Sequence, residues 1–286
     1  MLPIHVALVS DGAAVALDEL TAVAAALQKQ VLRDFSPIWG IQADVSAFAA
    51  LEQVPLDYWP VIIRDDIGSD SAAGFHQDQN GQPYSLVKYS SDWSLTTSHE
   101  VLEMLGDPFG RRMVAGDSPI KGQGRVQFLV EVCDPSEAFE FTYRVNGVVV
   151  SDFYTPHYFD SAKSGGARYS FTNAIKQPRQ VLRGGYLSWY TPASREWWQR
   201  TWFSGSKPKD SNLGRLDVKN GNPRSMIDRL NATQRMKAMS SGDGGAALTA
   251  FAGQDRAFDN RATDLRDCVK QVMKANGPKK TGKSRG

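Results

Sequence analysis

Along the first hundred residues, short apolar runs bracket one long amphipathic stretch. Residues 3–9 (PIHVALV) are compact, apolar and β-rich; a Ser-Asp-Gly turn follows, and an alanine-rich stretch at residues 14–35 then carries apolar positions at helical spacing. The pattern predicts a strand followed by a helix. Residues 39–48 (WGIQADVSAF) and 59–64 (WPVIIR) read as two more strands, separated by Pro55-Leu56-Asp57. Asn80-Gly81 is a strong hairpin signal and leads into a further strand at residues 84–89. A small mixed sheet is therefore expected ahead of residue 97, where helical spacing resumes. That helix should stop at Gly106-Asp107-Pro108, because the residue before a proline avoids the α region.

Beyond Pro108 the chain reads as glycine-rich loop up to Gly124. Residues 126–132 (VQFLVEV) then form an apolar strand or short helix that ends at Cys133-Asp134-Pro135. Asn146-Gly147 predicts a second hairpin between residues 139–145 and 148–153. From Trp189 the composition changes. Trp197, Trp198 and Trp202, with Arg195 and Arg200 between them, predict a buried helix face or a docking surface onto the first domain rather than a base-stacking platform. A polar connector reaches Pro223, and helical runs follow at residues 225–239 and 246–275, split by a Ser/Gly-rich break. The expected organisation is an α+β domain over residues 1–188, a Trp-rich and mostly helical extension over 189–275, and a basic, disordered tail over 276–286.

Composition narrows the function classes. The 286 residues are 41% hydrophobic and 22% charged, enough for a full core, and 33 basic against 31 acidic residues leave a net charge of +2. So even a balance creates no global field, and no nucleic-acid partner is expected. No run approaches the roughly 18 apolar residues of a membrane span, and the N-terminus meets Asp11 before any long apolar segment; neither a membrane nor export is implied, and a cytoplasmic location is expected. Cys133 and Cys268 are too far apart in sequence to form a metal knuckle or a disulfide framework. Phosphate-binding glycine loops and nucleophile elbows are absent from the sequence.

The chemistry concentrates in SHEVLEMLGDP, residues 98–108. Four positions separate His99 from Glu103, so on a helix the two share a face one turn apart and can grip one ion. The same spacing underlies HExxH zinc helices, whose intervening glutamate acts as general base toward a metal-bound water. Glu103 in place of the second histidine keeps the site chemically sound, since carboxylate oxygen is a zinc ligand alongside imidazole. A second reading stays open. Thr97-Ser98-His99-Glu100 also fits a capping box, in which Glu100 only reaches back to the Thr97 N–H and Glu103 is solvated. Glu131 and Asp134, carboxylates in an apolar stretch, favour the metal because burying them is costly without a partner.

SHEVLEMLGDP, the following EVCDP and then SDFYTPHYF resemble bacterial zincin-like metallopeptidases carrying HExxExxxDP, and are more distantly similar to plant phosphate-induced proteins with an HELxE pattern. The likeness spans roughly residues 3–159. It implies a zincin-like domain whose edge strand holds a peptide or protein substrate above a metal helix, zinc as cofactor, His99 and Glu103 as ligands, and Glu100 as general base. A third ligand is implied in the later acidic segment. Glu131 is the choice, because in a strand it faces opposite to Asp134 and has the longer reach; Asp107 and Asp134 are the other contenders. His157, with Tyr154 and Tyr158 nearby, is the candidate donor to an oxyanion. A lone histidine on the hairpin, His76, reads as surface. The alternative function is a non-catalytic binding or structural protein that keeps this scaffold and uses the Trp-rich segment as its contact surface.

Overall fold

The apolar run near the N-terminus becomes strand β1 (Ile4–Ser10), whose inner residues are buried on both faces, as in the centre of a parallel sheet. In this computed structural model, which describes residues 3–69, 72–216, 222–228 and 230–231, the chain is mixed α/β. The first sheet runs β2 (Ala43–Phe48), β1, β3 (Tyr58–Arg64), β5 (Gln82–Lys88), β4 (Gly74–Gln79) in spatial order. Every pairing in it is parallel except the Asn80-Gly81 hairpin, so β4 lies antiparallel at the edge.

Helix α1 (Leu17–Lys29) continues through a π-type turn (Gln30–Phe35) into the short α2 (Ser36–Trp39), which Gly40 terminates at φ 67°. The strand expected from residue 39 therefore starts only at Ala43. Leu20, Val23 and Leu27 of α1 share one core with Val6 and Leu8 of β1 and with Val101, Leu102 and Leu105 of helix α3 (Trp93–Gly106). Ala7 and Val9 face the other way into a smaller cluster with Ile62 and Leu86, the period-2 alternation of a strand.

The second sheet is antiparallel, ordered β12 (Lys209–Gly214), β11 (Glu196–Thr201), β10 (Tyr186–Thr191), β7 (Arg125–Leu129), β6 (Met113–Asp117). Three corrections follow. The stretch after Pro108 contains β6 rather than loop alone. The Trp-rich segment is strand, not helix: Trp197 and Trp198 lie on β11, where aromatic side chains suit a pleated, half-buried surface. And position 188 falls inside β10, which pairs with β7, so the sheet continues across the expected domain boundary. The second hairpin appears as β8 (Tyr143–Val145) and β9 (Val148–Val150). Ile227, in a helical turn at residues 223–228, packs with Leu129, Tyr186, Trp197 and Phe203, so this part of the C-terminal segment docks on the second sheet. The rest of the helical runs, and the basic tail, lie outside the described residues. No described helix is long and apolar enough to cross a membrane.

One glycine lets the start of β10 pack against the turn that follows β7. A Cβ on Gly185 would stand 2.5 Å from the Asp134 carbonyl oxygen and 2.6 Å from that of Pro135, so Gly185→Ala must displace backbone. We expect a loss of about 1–3 kcal/mol in urea denaturation. Gly165→Ala, where nothing lies within 4 Å, should leave the midpoint unchanged or slightly raised. Equal midpoints for the two variants would contradict this packing.

Candidate metal centre

Helix α3 starts one turn earlier than the sequence suggests, at Trp93. Thr97 is thus helix interior and fully buried, and its hydroxyl donates to the Trp93 carbonyl at 2.7 Å. The capping-box reading falls, because a residue inside the helix has no free N–H for Glu100 to cap. Ser98 ties the helix to its surroundings, donating to Gln30 Oε1 at 2.8 Å and accepting from the Ser151 N–H at 2.9 Å. On the next face, His99 Nε2 lies 3.4 Å from Glu103 Oε1 and 3.2 Å from Asp134 Oδ1. Ligand atoms about 2.1 Å from a tetrahedral ion sit about 3.4 Å apart, so both spacings suit a shared cation.

Asp134, not Glu131, is the downstream carboxylate that lies against His99. The alternation that separated these two residues holds only in a strand, and β7 ends at Leu129. Residues 130–133 instead run along the end of α3. Lacking a side chain, Gly106 lets Val132 approach to 3.0 Å of where a Cβ would stand. The Cys133 N–H then donates to Glu103 Oε1 at 3.2 Å, and a 3-10 turn (Asp134–Ser136) swings Asp134 onto His99. Potential ligand atoms fall within 4.8 Å of one another in three sets: His99 with Glu103 and Cys133, His99 with Asp134 and Glu137, and His76 with Glu100 and Glu103. Glu131 is in none of them. Its carboxylate is buried beside the cluster, and its N–H donates to the Tyr154 hydroxyl at 3.0 Å. Asp107 is used by backbone, accepting from the N–H groups of Phe109 at 3.4 Å and Arg112 at 2.6 Å.

His157 is the clearest correction. It sits exposed on a 3-10 turn (Pro156–Phe159) and pairs with Asp160 at 2.9 Å, because Pro156 turns the chain outward there. Tyr154, not His157, reaches the acidic segment. His76 is the reverse case: read as surface, it is 1% exposed, with Nε2 2.8 Å from the Asp107 carbonyl and Nδ1 3.5 Å from Glu100 Oε2. The hairpin held the signal. Counting by twos, Phe75 and His76 face opposite sides, and Phe75 belongs to the apolar cluster away from α3, so His76 must point toward the helix. Arg224 had no such signal. It enters from the C-terminal turn, 3% exposed, and its Nη1 contacts Glu103 Oε2 while Nε lies 3.4 Å from Asp228.

Charge decides what this arrangement can do. Glu100, Glu103, Glu131, Asp134 and Glu137 are all buried, against Arg224 and at most two imidazolium ions. Arg224 is shared with Asp228, so the carboxylates outnumber the cations unless some of them hold protons. Burial lowers His99, but Glu103, Asp134 and Glu100 outweigh it and push it up to about 10. Burial, reinforced by Asp134, drives Glu131 well above the carboxylate range. Burial likewise raises Glu103, although Arg224 pulls against it. Asp134 goes the other way: its bond to His99 and the nearby Arg224 overcome burial and hold it below the usual range. Protons and Arg224 thus share the work of neutralisation. Even so, His76 Nδ1, Glu100 Oε2 and both Glu131 oxygens are buried without a hydrogen bond, and Glu103 Oε2 meets only the Arg224 guanidinium. Each such atom costs about 1–3 kcal/mol, and their concentration in one place fits residues built to hold a cation.

A pH dependence follows from these shifts. His99 is raised from 6.5 to about 10, so its contribution to stability is complete below pH 6.5 and is lost as pH rises through about 10. Glu103 and Glu131, also raised, act with the same sign from 4.5 upward; Asp134 and Glu100, which are lowered, act oppositely but only in acid. Protein stripped of divalent ions should therefore melt several degrees lower at pH 9.5 than at pH 6.5. His99→Gln should flatten much of that slope; an unchanged slope in the variant would contradict the assignment.

Compared with known proteins, the chain matches no protein-family model, no curated protein and no solved structure.

Proposed function

We propose that the chain is a metal-dependent peptidase-like hydrolase, with a zinc-class divalent cation held by His99 and Glu103 and with Asp134 as third ligand. One observation carries the reading: Glu103 and Asp134 both converge on His99 Nε2, at 3.4 and 3.2 Å, with Glu100 Oε2 and both Glu131 oxygens buried beside them without a hydrogen bond. Imidazole nitrogen with carboxylate oxygens is a donor set suited to zinc and its neighbours. Glu103 and Asp134 fall in separate sets around His99, so a shared cation would require them to approach one another. When bound, the cation supplies Lewis acidity.

The chain's own residues supply the rest. Glu100, one position after the histidine ligand, is the proton acceptor; His76 together with His99 and Arg224 keeps it ionised by outweighing burial. Its orientation is fixed by β4, which passes so close that a Cβ on Gly74 would stand 3.0 Å from Glu100 Cγ. Strand β4 is antiparallel, lies at the sheet edge and directly precedes β5 and α3. An extended peptide could pair along such an edge and bring its carbonyl to the helix, which supports a peptide substrate over a small polar one. Trp197 is committed to the core of the second sheet, which favours the hydrolase reading over the binding-surface alternative.

Purified protein should carry close to one zinc per chain by elemental analysis, and His99→Ala should lose it. Glu100→Gln should keep that zinc and abolish cleavage of an unstructured protein substrate such as casein. Asp134→Asn should weaken zinc binding by more than the roughly 10- to 100-fold typical of an outer-shell partner, and Glu131→Gln by less. Zinc-free wild type that takes up none on addition, or the reverse ranking of Asp134 and Glu131, would refute the assignment.

A further inference from the structure

We infer that His76, Glu100 and Glu103 form a second divalent-cation site beside the one at His99, and that filling it converts Glu100 from proton acceptor to ligand. The cation site itself stands on its own geometry; its inhibitory consequence rests on the function proposed above.

His76 carries the argument. Its Nε2 faces the Asp107 carbonyl at 2.8 Å, and a carbonyl only accepts, so Nε2 holds the proton. In the neutral ring Nδ1 is then a lone pair, and it points at Glu100 Oε2, another acceptor, 3.5 Å away. Both atoms are buried and make no hydrogen bond. Two acceptors aimed at each other in a dry site need a cation between them. A proton on His76 supplies part of that charge, but across 3.5 Å it makes only a poor hydrogen bond to Glu100. A histidine whose far nitrogen donates to a backbone carbonyl is the usual form of a metal ligand, because that bond fixes both tautomer and ring plane. The carbonyl is itself fixed, since the Asp107 carboxylate accepts from the Phe109 and Arg112 N–H groups.

Glu103 completes the set, its ligand atom lying within 4.8 Å of those of His76 and Glu100. Its Oε1 faces His99 and the Cys133 N–H, and its Oε2 contacts Arg224. Glu100 cannot swing out of the way, because β4 at Gly74 closes over it. One imidazole and two carboxylates suit manganese, cobalt or zinc rather than a thiophilic ion. Arg224 already sits against Glu103, so the second ion meets a competing cation and binds more weakly than the first.

Equilibrium dialysis of the full chain against graded zinc chloride, followed by elemental analysis, tests this. The wild type should take up a first equivalent and then, at higher zinc, a second. His76→Ala and the better-filling His76→Gln should lose only the weaker equivalent, and His99→Ala only the tighter one, with circular dichroism confirming that each variant is folded. A weaker equivalent that survives in both folded His76 variants would overturn the inference while leaving the His99 site standing. One equivalent lost in the His76 variants but kept in His99→Ala would support the second site and overturn the first. No uptake at all would overturn both.

Discussion

Gathering five carboxylates in the interior around two histidines and one arginine is the constraint on which the rest of the structure turns. An isolated buried carboxylate is so unfavourable that it takes up a proton instead of remaining charged. The raised Glu103 and Glu131 show that response, and the lowered Asp134 and Glu100 show the other, pairing with a cation. Neither response satisfies every oxygen. A divalent cation, as proposed, would take the place of those protons and offer directional contacts to the atoms left without hydrogen bonds.

The scaffold holds these groups against their mutual repulsion by anchoring each one from a different element. Helix α3 carries His99, Glu100 and Glu103, and is itself pinned through Ser98 to Gln30 on the π-type turn. Strand β4 brings His76, fixed through the Asp107 carbonyl at the far end of that same helix. The 3-10 turn after β7 brings Asp134, and Gly185 on the neighbouring chain permits that turn to close. The C-terminal turn inserts Arg224, held in place by Ile227 in the apolar cluster and by Asp228. Anchoring of this kind limits how far the groups can move apart.

Local signals in the sequence were read correctly where local physics decides the outcome. The Asn-Gly hairpins, the first apolar strand and the stop of α3 before Pro108 all depend on a few adjacent residues. So does the pairing of His99 with Glu103 on one helix face. Failures came where distant segments meet. Thr97 looked like a cap because Trp93 and Leu95, which extend the helix, gain their stability from burial against other elements. The sequence ranks Asp134 below Glu131 because nothing nearby marks the end of β7 at Leu129. Trp197 and Trp198 looked helical by spacing, whereas their strand is fixed by partners in β10 and β12. Arg224 reaches the centre only through tertiary docking, which no motif announces.

The most direct measurement of the central claim is an anomalous difference map, collected on either side of the zinc absorption edge from crystals grown with one equivalent of zinc. This account predicts the strongest peak within ligand distance, about 2.1 Å, of His99 Nε2, with Glu103 and Asp134 drawn onto it. A map whose zinc lies only on surface groups, with Arg224 and the acid cluster unaltered, would contradict it.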